Sequence, residues 1–492
     1  MRKALVLCVL VAGAWARPSL ADCPGTSACV YNKGCPTGSK PVGPGQSIQK
    51  AIDAAPGTGA TLCVAPGNYI GLINFHGKPI NLVSSGGPAV TFLDGGGGGP
   101  VVTLSSAEGK DSILDGFTIR NGKATYGAGI FISGASPTIR NSILTKNAAI
   151  GGSGRGGGGG IGVIGIQAHP SITCTQFLAN TADFTGGGLM STYSANPYLR
   201  SNLFEGNKAP FGGAIGVAWS GRLDLGWTQL LGNQASSDGG GIHAGVPYGN
   251  VLVRQVWFKG NKAGGNGGGM WVPAGLADVL NSTFDSNQAA VGGGIAAGFG
   301  SMVSVASTLF VRNTTTTPGS ATLVNANGSN TSVVNHYNGF FGNTGANFLN
   351  TYGDKGLLIA GTDPLGTSCC PGPGSPAINA GIPELHFNDP NGSRNDIGAC
   401  GGPALSTFGP TQDCSKKVVV SGMHFPNKTC AQSAAEFQAG LLTSFHFTSK
   451  CPQDAPLKTV LDISCQNAPI PGFPTGSVYQ GTACCGKATP PL

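Results

Sequence analysis

The residues of this 492-residue chain that could carry chemistry are few, because only 10% of them are charged. Hydrolysis of a glycosidic bond needs two carboxyls held within about 5–10 Å of each other. Elimination beside a sugar carboxylate needs a general base, for which an Arg or Lys could serve, with acids where a cation is to be held. The acids in the middle of the chain are Asp183, Glu205, Asp224, Asp238, Asp278 and Asp285. Arg155 lies in a Gly-rich insertion and reads either as a base or as solvated surface. Asp389, Asn391, Arg394 and Asp396 form a polar cluster whose chemistry is either turn hydrogen bonding or Ca²⁺ binding. No pair of Cys-x-x-Cys motifs has the spacing of a zinc site.

The elements that must position these residues follow from a repeat. The chain has 84 Gly, about 17% against a usual ~7%. Gly-rich triplets followed by an apolar residue recur as Gly127–Ile130, Gly186–Leu189, Gly212–Ile215, Gly239–Ile242, Gly267–Met270 and Gly292–Ile295. With Ile161 from a looser copy, the apolar residues are spaced by 27.5 residues on average. An apolar residue three before an Asn keeps step: Phe177, Phe204, Leu230, Phe258, Phe284 and Phe310 precede Asn180, Asn207, Asn233, Asn261, Asn287 and Asn313.

A 27-residue unit is too short for a propeller blade and lacks the 3.6 period of helical repeats. It holds three short strands and three turns, one coil of a parallel β-helix. Each residue then lies ~4.8 Å above its equivalent. Ile215, Ile242 and Met270 stack inside, and the six Asn residues form a hydrogen-bonded ladder, the side chains also tolerating a left-handed turn.

The expected fold is all-β: a right-handed parallel β-helix followed by a small disulfide-bonded α+β module. Residues 1–21 read as a signal peptide, 22–45 as a Cys-containing lead-in, 46–403 as the β-helix with its caps, 404–413 as a linker and 414–492 as the module. In the module, strands are expected at 417–421 and 457–463 and a helix at 431–445.

Alternation places Met190, His243 and Trp271 outside when Leu189, Ile242 and Met270 are inside. His243 and Trp271 would then be stacked on an exposed face suited to the apolar faces of sugars. By the same reasoning no two acids fall in register on adjacent coils; Glu205 and Asp285 share a motif position three coils apart.

Charge and cysteines bound the setting. The net charge of +7 falls to +4 once Arg2, Lys3 and Arg17 leave with the signal, too little to imply nucleic acid. Fourteen Cys remain after the signal, crowded at both ends, with Cys174 alone between them. Disulfides are therefore expected to staple the ends of a column whose middle needs none. Asn281, Asn313, Asn327, Asn330, Asn391 and Asn427 are glycosylation sequons in a eukaryotic secretory host. No segment after the signal is long and apolar enough to span a bilayer as a helix.

The repeats resemble the right-handed β-helix of the pectin-lyase-like superfamily, and most closely the polymorphic outer-membrane-protein repeat with its Gly-Gly-Ala-Ile (Gly212–Ile215) and Phe-x-x-Asn. Ser47–Ala55 resembles the helix that caps the fold, and Gly374–Gly381 with Arg394–Gly402 its closing segment. The resemblance implies fold and not activity. The Asn-Thr-Asp, Asp-Asp and Gly-His-Gly set of polygalacturonases is absent, as are the Trp-Ile-Asp-His and Arg-x-Pro-x-x-Arg patterns of pectate lyases. The expectation is a secreted or cell-wall protein with a structural, adhesive or glycan-binding role, acting on or with extracellular polysaccharide or glycoprotein and needing no cofactor. The alternative is a polysaccharide lyase or hydrolase, Ca²⁺ entering only for a lyase.

Overall fold

Three sheets of parallel strands wind round one apolar core as a right-handed β-helix of about twelve coils. The computed structural model describes residues 29, 31, 34–152, 154–326, 331–355, 357–365, 370–383, 388–389 and 392–402, and strands 416–426, 457–467 and 476–485. Sheet A, of 22 strands, takes two strands from a typical coil, for example Ile215–Ala218 and Arg222–Gly226; sheet B, of 12, takes one, Gln229–Leu231; sheet C, of 8, takes Gln234–Asp238. Ile215 pairs with Ile242 and Ile242 with Met270, all fully buried. Phe177 stacks on Phe204 at 4.2 Å, and Phe258, Phe284, Phe310 and Phe340 continue a column of parallel rings.

The corner between sheets B and C is built identically in each repeat. Asn207 Nδ2 donates to Asn233 Oδ1 at 2.9 Å and to the Phe177 carbonyl at 2.9 Å, while its backbone N–H donates to the same Asn233 Oδ1. The ladder runs from Asn147 to Asn343, one rung beyond the six Asn residues at either end. The left-handed residue is the one before each Asn, such as Gly206 (φ 65) or Arg312 (φ 54); the Asn side chain is spent on the stack.

In each triplet the first Gly is left-handed (Gly267, φ 66) and the third abuts the Phe column. A Cβ on Gly269 would lie 2.4 Å from Phe284 Cδ1. A second polar ladder, unread in the sequence, lines the corner between sheets A and B: the N–H of Thr175 donates to Asn202 Oδ1 and that of Asn202 to Thr228 Oγ1.

The helix Ile48–Asp53 closes the N-terminal end with Ile48 and Ile52 buried and Ser47 capping the Lys50 N–H. Disulfides join Cys35–Cys63, Cys370–Cys400 and Cys29–Cys174. The last corrects the expectation that the middle of the column is unstapled. Cys29 and Tyr31 lie against the A–B corner, with the Tyr31 ring filling the space a Cβ would need at Gly87 and Gly116. From the other end the closing segment descends the same corner: Asn395 Oδ1 accepts from Asn281 Nδ2 and the Ala399 N–H donates to Thr283 Oγ1.

Strands 416–426, 457–467 and 476–485 form a separate antiparallel sheet with 476–485 in the centre. The signal, Cys23, the linker 404–413 and the helix expected at 431–445 lie outside the described residues. Among the described residues no helix is long and apolar enough to cross a membrane.

Candidate functional site

Charged side chains gather on the outer face of sheet A. The pairing Tyr198–Asp224–Leu252–Asp278–Ser304 sets one column, and Arg200–Gly226–Arg254–Leu280 the column beside it. Arg200 Nη2 reaches Asp224 Oδ1 at 2.8 Å, and its guanidinium lies 3.9 Å from the centre of the Tyr198 ring. Arg254, 7% exposed, faces both Asp224 and Asp278. Burial pushes the Asp278 carboxyl up to about 7, against the pull of Arg254. Asp224 is paired with Arg200, while burial leaves the Asp278 carboxyl near half-protonation at neutral pH. They lie two coils apart, ~9.6 Å along the axis.

Beside this cluster, the turn joining the two sheet A strands of each coil carries an apolar ridge. Gly134 and Gly165 make the turn in the earlier coils, with φ of 59° and 102°. At the equivalent positions of later coils stand Tyr193, Trp219 and Phe299, still left-handed at 51°, 48° and 50°. They are 57%, 63% and 72% exposed. The Tyr193 and Trp219 rings are parallel to within 7°, their centroids 6.4 Å apart. A bulky side chain in this backbone region costs about 1–3 kcal/mol, a cost also met at the ladder corner, as at Arg312; what sets this turn apart is that its rings are exposed.

Met190, His243 and Trp271 do occupy one column, through Gly216. The expected exposure is corrected: Met190 and Trp271 are 3% and 4% exposed. The segment before each Gly triplet folds over them. Gly157 abuts Met190 Sδ, Phe211 packs on His243 with centroids 5.1 Å apart, and Val291 packs against the Trp271 cluster. Burial pushes the His243 imidazole down to about 4, so it stays neutral. Alternation gave their side of the sheet correctly; what covers that side is a turn whose path alternation does not describe.

Two sequons are corrected as well. Asn281 is 1% exposed and bonded to Asn395 and Asp396, and Asn313 is a fully buried ladder rung, so neither has room for a glycan. Asn327, Asn330, Asn391 and Asn427 lie outside the described residues.

Asp389 accepts from the Gly402 N–H at 2.6 Å and Asp396 from the Asn379 N–H at 2.7 Å, while Arg394 donates to the Gly381 carbonyl. These bonds tie the closing segment together, and burial raises Asp389 to about 6. Arg155 is exposed in its loop. Among the described residues no three His, Cys, Asp or Glu side chains gather in a metal-binding group.

The sequence signal for the missed cluster was present. Arg200 and Arg254 are 54 residues apart, as are Asp224 and Asp278, which is two coils in each case. Acids one coil apart are a different pattern, and these lie two coils apart. Tyr193, Trp219 and Phe299 carry a signal of the same kind, each lying four residues after the apolar residue of a Gly triplet, Leu189, Ile215 and Ile295; that this position is an exposed left-handed turn is not written in the spacing.

No protein-family model matches the chain, and no curated protein matches it. Among solved structures a pectin methylesterase from carrot is similar at a TM-score of 0.24 and 9% identity, over 67% of this chain and 91% of that one; a similarity of that size carries no argument about activity. The coil architecture itself defines the class: a right-handed parallel β-helix.

Proposed function

We propose that this protein is an extracellular β-helix that binds glycan across the ridge of Tyr193 and Trp219, in a structural or adhesive role. One observation carries the reading: two strongly exposed aromatic rings held parallel on neighbouring coils by a strained backbone. The C–H faces of pyranose rings pack on such surfaces, and aromatic side chains lose little conformational entropy on binding. Past the turn, Tyr198 and the Arg200–Asp224 pair supply donors and acceptors for sugar hydroxyls. Disulfides support an oxidising, extracellular setting.

The test is retention on a polysaccharide array. Trp219→Ala is expected to weaken binding about tenfold, the loss of ~1.4 kcal/mol, with the melting temperature held. Unchanged retention removes the reading.

The columns Asp224–Asp278 and Arg200–Arg254 favour a second reading, cleavage of an acidic polysaccharide. Their ~9.6 Å axial offset is just past the ~6.5–9.5 Å carboxyl separation of an inverting hydrolase, and the raised carboxyl would be the acid. New reducing ends or unsaturated-uronate absorbance from polyuronate, abolished in Asp278→Asn, would establish it.

A further inference from the structure

One coil is longer than its neighbours, and the excess is confined to one loop. From Ala149 to Gly157 the chain takes eight residues, where the paired positions take three in the coil above, Ala182 to Thr185, and two in the coil below, Ala124 to Tyr126. The loop carries one charged side chain, the exposed Arg155, set among glycines. Gly152 and Gly154 are left-handed, at φ of 68° and 70°, and a Cβ on either would meet nothing within 4 Å.

Few bonds hold this loop. Its ends are fixed where the Ile150 N–H donates to the Ala124 carbonyl and the Gly157 N–H to the Thr125 carbonyl. Between them, Gly151 and Gly152 donate to Asp183 Oδ2 at 3.2 and 3.5 Å, Arg155 donates to the Gly152 carbonyl, and the Gly156 carbonyl accepts from Phe184. Among the described residues the Arg155 carbonyl and the Gly156 N–H, the two sides of one peptide bond, have no hydrogen-bond partner.

Other basic residues of the β-helix are held differently. Arg140, Lys208, Lys259 and Lys262 stand on strands paired above and below. Lys110 also lies in a loop, but there Glu108 accepts from the N–H groups of Gly77 and Ser106, and the Lys110 carbonyl accepts from Thr138 Oγ1. Lys146 immediately precedes the ladder residue Asn147.

The covalent links around the loop matter as much as its exposure. Of the three described disulfides, Cys29–Cys174 alone spans residue 155. The coils on either side also pair through Ile130–Ile161, Leu144–Phe177 and Asn147–Asn180. A break in the loop therefore leaves the column stacked and its two pieces bonded.

We propose that the Arg155–Gly156 bond is a processing site for a serine protease with an acidic specificity pocket, and that the cut protein persists as two chains joined by Cys29–Cys174. Exposed loops of small residues are where chains are nicked, and glycines can adopt the extended form a protease cleft requires. An Arg side chain suits a pocket floored by a carboxylate. Hydrolysis consumes one water: its oxygen goes to the Arg155 carbonyl carbon, which becomes a carboxylate, and the Gly156 nitrogen leaves as an amine. This site stands apart from the aromatic ridge and does not depend on glycan binding.

The test digests the native full chain with trypsin as the probe. Within residues 34–402 the first cut should fall after Arg155, giving a new N-terminus at Gly156. Those two pieces should migrate together without reductant and separate with it. Arg155→Gln should remove the cut, and Asp183→Ala, which frees Gly151 and Gly152, should speed it about fivefold. Both change exposed side chains, so the melting temperature should hold. The rate should also stay level in low denaturant, because local opening and not global unfolding admits the protease. Protein recovered from its natural source should carry Gly156 as a second N-terminus. A first cut elsewhere in 34–402, separation without reductant, a rate that follows global unfolding, or an unbroken natural chain overturns the inference.

Discussion

Two corners of the same coil are built on opposite principles. At the corner between sheets B and C every described repeat from Asn147 to Asn343 places an Asn over an Asn, with both the side-chain amide and the backbone N–H donating to the next Oδ1. At the turn inside sheet A the coils differ: Gly134 and Gly165 give way to Tyr193, Trp219 and Phe299, and the strands Ile242–Arg254 and Met270–Leu280 run straight through. The uniform corner sets the register. The variable turn is free to carry strained, exposed side chains, because coil-to-coil alignment does not depend on it.

The comparison breaks most visibly at the ladder. Asn261→Ala removes the acceptor of the Asn233 N–H at 3.0 Å and of Asn233 Nδ2 at 2.9 Å, leaving both buried. At about 1–3 kcal/mol for each orphaned donor, denaturant unfolding should show a loss of several kcal/mol. A loss below that of Trp219→Ala would mean the two corners are not different in kind.

A smaller, pH-dependent effect belongs to the outer face of sheet A. The Asp278 carboxyl titrates at about 7 when folded and near 3.8 when unfolded. The unfolded chain gives up its proton first, so this group lowers stability as pH rises from about 4 to about 7. His243 acts in the reverse sense: held at about 4 against 6.5, it lowers stability as pH falls through that interval. Asp278→Asn should therefore gain stability relative to the parent at pH 8 and gain least at pH 4. Thermal melts of the pair at both pH values decide it; a constant offset would place the carboxyl in an ordinary environment.

The smallest effect sharpens the contrast. Trp219→Gly relieves the left-handed strain at an exposed position and should be neutral to stabilising, by up to about 1 kcal/mol, while weakening glycan retention about tenfold, as Trp219→Ala does. A clear destabilisation would show that the ridge supports the coil after all.

The Gly triplets and Phe-x-x-Asn spell the interior because stacking repeats the same demand on every coil, and the pairing of Ile215, Ile242 and Met270 is legible from spacing alone. The outer surface is not repetitive in that way. Whether Trp271 meets solvent depends on the route of the turn before the triplet, and Trp271 proved covered. The reach of Cys29 to Cys174 depends on a segment with no periodicity, lying 145 residues away in sequence.

That bond has a mechanical consequence. Tension on the N-terminus does not peel the first coil from the stack. It enters four coils up, at the rung that holds Cys174, and the coils below it are shielded from the pull. A reductant would reroute the same load through Cys35 and Cys63 and then, once that link opens, through the terminal helix, so that the column would unzip from its end.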